Sequence, residues 1–153
     1  MSEVTTEKVK QLRESTGAGV IDAHQALVAS DGDMDKAKEL LKEKGLAAAE
    51  KRAERATVQG LVESYVHGEG KVGVLVEVNC ETDFVARTDE FKELAHEVAM
   101  QVAAMEPSSV EELLAQPYIR EANKTVQNLV TETIAKTGEN IKVKRFVRYS
   151  LGE

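Results

Sequence analysis

Asn79-Cys80-Glu81-Thr82-Asp83-Phe84-Val85-Ala86-Arg87 is the stretch whose residue types most ask for a chemical explanation. It sets Phe84, one of three phenylalanines in the chain, between the end of a β-rich run and a helix cap, with the Asp83 carboxylate beside it. Spacing leaves two readings open. Phe84 folds back onto the core while Thr82 or Asp83 caps a short turn, or it stands outward as an aromatic wedge on a stiff hairpin. The second reading demands a partner pocket, because an exposed phenylalanine forgoes roughly 1.5–3 kcal/mol of burial.

No other residues form a set that could do chemistry. His24, His67 and His96 are dispersed and lack a metal-ligand partner at i+2 or i+4 on a suitable face. His96 lies close to Glu93 and Glu97 on a helix and reads as an exposed side chain. Cys80 has no base or positioned donor in sequence and reads as a buried thiol; as the lone cysteine it excludes an internal disulfide and a cysteine-rich zinc site. Gly17 and Gly19 are not followed by the GxxxxGK[ST] phosphate loop. The expectation is a protein without catalytic residues, metal or cofactor.

The 153 residues allow one domain, or a small one joined to a medium one. With 42% hydrophobic but 4% aromatic residues, the core is built from Val, Leu, Ala and Ile. A net charge of −7 argues against a general nucleic-acid binder, which needs surplus cations to neutralise phosphates. Apolar stretches shorter than ten residues and an N-terminus, MSEVTTEK, without a signal-peptide pattern give the expectation of a cytoplasmic protein away from membranes.

Three stretches must position these residues. Residues 1–45 read as a three-helix head. Val9 and Leu12 mark a first helix capped by Thr5 or Thr6, and Gly17 suits the left-handed position after it. Ile21, Ala23, Ala26, Leu27 and Val28 mark a second helix that stops at Asp31-Gly32. Asp33 caps a third, with Met34, Ala37, Leu40 and Leu41 at helical spacing and Gly45 after its end. Residues 46–56, rich in alanine and charge, read as a solvated helical linker.

Residues 57–153 read as a core domain. Leu61–His67 and Val72–Val78 flank Gly68-Glu69-Gly70 as a β-hairpin, with Val72, Val74, Val76 and Val78 on one side. Thr88 caps a helix whose Phe91, Leu94, Val98, Val102 and Met105 make one apolar face, ended by Pro107. A short helix covers Glu111–Ala115. Pro117 opens a longer one with Tyr118, Ala122, Val126, Leu129, Val130 and Ile134 as its stripe, ended by Gly138. Ile141, Val143, Arg145, Val147 and Tyr149 then alternate with Lys142, Lys144, Phe146 and Arg148 in a third strand. The fold class is α+β, a three-stranded antiparallel sheet covered by helices. Helices cover one face of such a sheet, so the other would stay wet unless a partner packs there.

Two segments together resemble the elongation factor Ts family of bacteria. Leu12-Arg13-Glu14-Ser15-Thr16-Gly17-Ala18-Gly19, continuing Val20-Ile21-Asp22 to Ala26-Leu27, is similar to its N-terminal signature, and Val78 to Ala86 to its second. Gly138-Glu139-Asn140-Ile141 resembles its GEN[IM] motif. The resemblance implies a ubiquitin-associated-like (UBA-like) head and a guanine nucleotide exchange factor that meets elongation factor Tu, GDP-bound and then nucleotide-free. It implies that Thr82, Asp83, Phe84 and Val85 dislodge the Mg²⁺ ion of Tu, and that Lys10, Arg13, Gly17, Ala18, Gly19, Val20 and Ile21 of the head dock on Tu. Where the family often reads TGAGMMDCKKAL, this chain has Val20, Ile21, Ala23, His24 and Gln25 at the varying places. Short family members pair through facing three-stranded sheets, which implies a homodimer. The alternative is a UBA-like adaptor without exchange activity.

Overall fold

The computed structural model of the chain describes residues 3–153. It divides into two compact units, Met1–Lys51 and Arg52–Glu153.

In the first unit, α1 (Thr6–Thr16) begins where Thr5 Oγ1 accepts a hydrogen bond from Lys8 N, and ends at Gly17 with φ of 72°. Next comes α2 (Val20–Ala29), then α3 (Met34–Arg52), whose start is fixed by Asp33 accepting from the Asp35 and Lys36 amides at 3.0 Å each. Val9, Leu12, Ala23, Ala26, Leu27 and Ala37 form a small core. One expectation fails here. The helix does not stop at Gly45 but runs on to Arg52, because the alanines and other helix formers that follow outweigh the ~1 kcal/mol cost of a mid-helix glycine. Ile21 and Val28 face outward, since α2 buries only the stripe carrying Ala23, Ala26 and Leu27.

The second unit runs β1 (Gln59–His67), β2 (Val72–Cys80), the single turn α4 (Asp83–Ala86), α5 (Asp89–Met105), α6 (Val110–Ala115), β3 (Pro117–Tyr118), β4 (Glu121–Thr125), α7 (Val126–Thr137) and β5 (Ile141–Ser150). β1, β2 and β5 form an antiparallel sheet in the order β1-β2-β5. Val74, Val76, Val78 and Cys80 of β2 are buried, as are Phe91, Leu94, Val98 and Val102 of α5, which packs on β1 and β2. The α+β class and the helix-covered sheet thus hold. Among the described residues no helix is long and apolar enough to cross a membrane.

Three readings need correction. Cys80 is the last residue of β2 rather than two beyond its end. Residues 117–125 are a small hairpin, not the first half of a helix. The helix starts only at Val126 because Thr125 and Asn128 form a reciprocal capping box, at 2.9 and 3.1 Å. Fully buried Gln101 holds the hairpin from α5, donating to Pro117 O at 3.1 Å and accepting from Ile119 N at 3.0 Å. Tyr118 is buried but serves the core from a strand, its hydroxyl donating to Glu97 Oε2 at 2.6 Å.

The third correction concerns β5. Its pairing slips between Glu77 and Val78: Glu77 faces Arg145 while Val78 faces Val143, which leaves Lys144 as an extra residue. Such a bulge exchanges the faces of everything beyond it. Ile141 and Val143 point to the core, but Phe146 and Arg148 then lie opposite buried Val76 and Val74. Arg145, Val147 and Tyr149 fall on the far face, so one alternation does not run from 141 to 149. That far face is uncovered and exposes Val62, Val66, Leu75, Val147 and Tyr149 around a Glu77–Arg145 ion pair of 2.9 Å. Hydrogen bonds from Asn79 and Arg145 hold the Glu77 carboxyl below the usual carboxylate range.

Candidate functional site

α4 is a four-residue turn between the end of β2 and the start of α5, and its burial alternates sharply. Val85 and Ala86 are buried and anchor it; Phe84 is 76% exposed. The outward reading of Phe84 is therefore the one the fold adopts. Asp83 lies beside it, half-buried, its Oδ2 accepting from Arg87 Nη2 at 3.0 Å. Of the four residues Thr82 to Val85, three lie at the surface of the turn, while Val85 serves as its footing.

The mount is built by polar contacts from distant sequence. Thr82 caps α4, its Oγ1 accepting from Val85 N at 3.4 Å. Glu139 takes both remaining donors of Thr82: Oε1 accepts from the backbone N at 2.9 Å and Oε2 from the hydroxyl at 2.7 Å. Glu81 Oε1 in turn accepts from Asn140 N at 2.7 Å, and Arg55 pairs with the same carboxylate at 3.6 Å. Asn140 is buried, and its Nδ2 donates to Ala53 O at 3.3 Å and Arg55 O at 2.8 Å. Beneath the turn the Cys80 thiol donates to Thr82 O at 3.1 Å. Burial, aided by the nearby Glu139 charge, pushes that thiol up to about 11, so it stays protonated and unreactive at neutral pH.

The docking residues implied for the head lie in the first unit. Lys10 and Arg13 are exposed and three apart on α1, hence on one side of it. Arg13 Nε donates to Ala18 O at 3.4 Å, drawing the Gly17–Gly19 loop to the helix end. Gly19 precedes α2, whose first turn presents Val20 and Ile21, 54% and 72% exposed. His24, His67 and His96 are exposed. Among the described residues no three His, Cys, Asp or Glu side chains converge as metal ligands.

Glu81, Glu139 and Asn140 were not nominated by sequence reasoning. Gly138-Glu139-Asn140 stood out as a motif, but no spacing links it to a turn 57 residues earlier. Only the antiparallel pairing that sets Cys80 opposite Ile141 brings the two segments together.

The fold and this site define a class: an α+β protein whose helix-covered three-stranded sheet carries a braced turn with an outward aromatic ring. Comparison with known proteins makes that specific. A family model described as elongation factor TS matches residues 81–153. An elongation factor Ts of Coprothermobacter proteolyticus is 47% identical in an alignment covering 99% of this chain and all of the relative. Those of Carboxydothermus hydrogenoformans and Thermotoga neapolitana are 44% and 45% identical, covering 98% and 99% of this chain and 90% and 98% of theirs. The chain belongs to the elongation factor Ts family and is a translation elongation factor. The first of these alignments runs over 196 positions against 153 residues here, so that relative carries positions without a counterpart in this chain.

Proposed function

We propose that the chain is a guanine nucleotide exchange factor for elongation factor Tu, binding its GDP form and speeding GDP release. The observation that carries this is the 76% exposure of Phe84 on a turn anchored by buried Val85 and Ala86 and held at its entry by two hydrogen bonds from Thr82 to Glu139. A rigid exposed ring keeps its burial energy for the complex, where roughly 1.5–3 kcal/mol becomes available on entering a pocket. GDP in a phosphate-loop protein is held by backbone donors and a Mg²⁺ ion that bridges its phosphates. Phe84 with Asp83 and Thr82 would displace that ion and disturb the phosphate site without touching the guanine. The coupling is reciprocal: the factor weakens GDP as much as GDP weakens the factor, and incoming GTP expels it. No covalent bond is made or broken, so the activity is not that of an enzyme and needs no cofactor.

The three-helix unit is read as a UBA-like head that docks on Tu through Val20 and Ile21, with Lys10, Arg13 and the Gly17–Gly19 loop around them. The uncovered sheet face is read as the contact of a homodimer, since burying Val62, Val66, Leu75, Val147 and Tyr149 removes the largest wet apolar surface of the sheet. The working compartment is the cytoplasm, where translation runs.

The decisive experiment follows release of a fluorescent GDP from elongation factor Tu. The chain should accelerate it, and Phe84→Ala should slow the accelerated rate by about tenfold to a hundredfold. A chain that binds Tu without changing GDP release would instead be an adaptor.

A further inference from the structure

We infer that Glu139 is a positioning residue of the exchange turn, fixing the direction in which Phe84 leaves the protein. This rests on the reading of Phe84 as the wedge and adds the residue that aims it.

A single helical turn has no stability of its own, because nucleation fixes several dihedrals for one hydrogen bond. The direction of α4 must therefore come from outside it. On its inner side Val85 and Ala86 are buried, but two small apolar side chains resist tilting better than rotation about the chain entering the turn. That entry is Thr82, and both its donors end on one carboxylate, at 2.9 and 2.7 Å. Two parallel bonds to one planar group define an orientation, whereas a single bond defines only a distance. The hydroxyl that donates to Glu139 also accepts from Val85 N, so the carboxylate, the cap and the first turn form one chain of bonds.

The brace is mutual. Glu139 reaches back to the backbone of residue 82, while Glu81 reaches across to the backbone of residue 140, at 2.7 Å. Among the described residues Glu139 makes no ion pair, whereas Glu81 has Arg55 and Asp83 has Arg87. Both its carboxylate oxygens thus accept from Thr82 with no cation drawing them elsewhere. Phe84 makes no part of this brace, so loosening it changes where the ring points without exposing any core side chain.

The test titrates the full-length chain against GDP-loaded elongation factor Tu, separating the saturated release rate from the half-saturating concentration. Glu139→Gln, which offers an amide NH₂ to a site of two donors, should lower the saturated rate about tenfold and leave half-saturation within about twofold. Thr82→Val, which loses the hydroxyl bond to Glu139 and the cap on Val85 N but keeps the backbone bond, should act in the same direction. The double variant should be slower by less than the product of the two single effects, because both act on the shared hydroxyl–carboxylate bond. Amide exchange should quicken at Thr82 and Val85 in Glu139→Gln while the β2 amides keep their protection. A wild-type saturated rate in Glu139→Gln overturns the proposal, as does a slower one accompanied by loss of β2 protection, which would make Glu139 a general stabiliser. If the wild-type chain does not release GDP, the wedge reading itself falls and takes this role with it.

Discussion

α4 and α5 begin alike and end in opposite environments. Each follows a threonine that caps it, Thr82 or Thr88, each has aspartate at its first position, and each carries a phenylalanine in its first turn. Phe91 is fully buried; Phe84 is three-quarters exposed. Cap chemistry is therefore the same in both and does not decide which way a ring points. The phase of the turn relative to the sheet decides it. α5 has four turns of apolar stripe against β1 and β2, and Phe91 falls on that stripe. In α4 the stripe is spent on Val85 and Ala86, which leaves Phe84 on the outer side. One region uses its aromatic to hold the fold, the other spares it for a partner.

The contrast predicts unequal costs for the same substitution. Phe91→Ala should destabilise the protein by about 3–5 kcal/mol, while Phe84→Ala should change it by less than about 0.5 kcal/mol; chemical denaturation measures both, and equal losses would erase the distinction. Gly60→Ala tests the sheet that Phe91 rests on. Gly60 has φ of 145°, and an added Cβ would lie 2.1 Å from Val78 O, so strain should cost about 3 kcal/mol and lower the melting temperature. Thr88→Ala removes the cap of α5 and should cost about 1 kcal/mol. At α4 the exposed Asp83–Arg87 pair should contribute less than about 0.5 kcal/mol, so Arg87→Ala leaves the melting curve nearly in place.

The smallest effect at neutral pH belongs to Cys80 beneath α4. Its folded thiol ionises near 11 against an ordinary value of 9.0, so the unfolded chain loses its proton first. Stability from this group is complete below pH 8 and falls as pH rises from about 9 to 11. Denaturation midpoints across that range should drop in the native chain and stay flatter in Cys80→Ala.

Much of this was legible in the residues because local chemistry and burial agree. Thr5, Asp33 and Thr88 are caps where expected, and the Val74–Val78 alternation and the Phe91–Val102 stripe are core. The sequence failed where a distant contact outweighs local pattern. Tyr118 to Val126 has helical spacing, yet a buried glutamine on α5 supplies hydrogen bonds that a helix would not need. Phe84 could not be placed by spacing, since four residues carry no period. Burial of Val85 and Ala86 sets it outward, and the Glu139 brace on Thr82 that holds the turn exists only once β2 and β5 are paired.

The extra residue in β5 has one more result. By carrying Arg148 to the helix side of the sheet, it brings that guanidinium to the carboxyl end of α5, where Nε and Nη2 donate to Ala103 O at 3.3 and 3.2 Å and Nη2 meets Glu106 at 3.0 Å. A cation there complements the negative pole of α5. Removing Lys144 would turn Arg148 out to water and send Val147 and Tyr149 inward, so the strand tolerates exchange of residues far better than a change in their number.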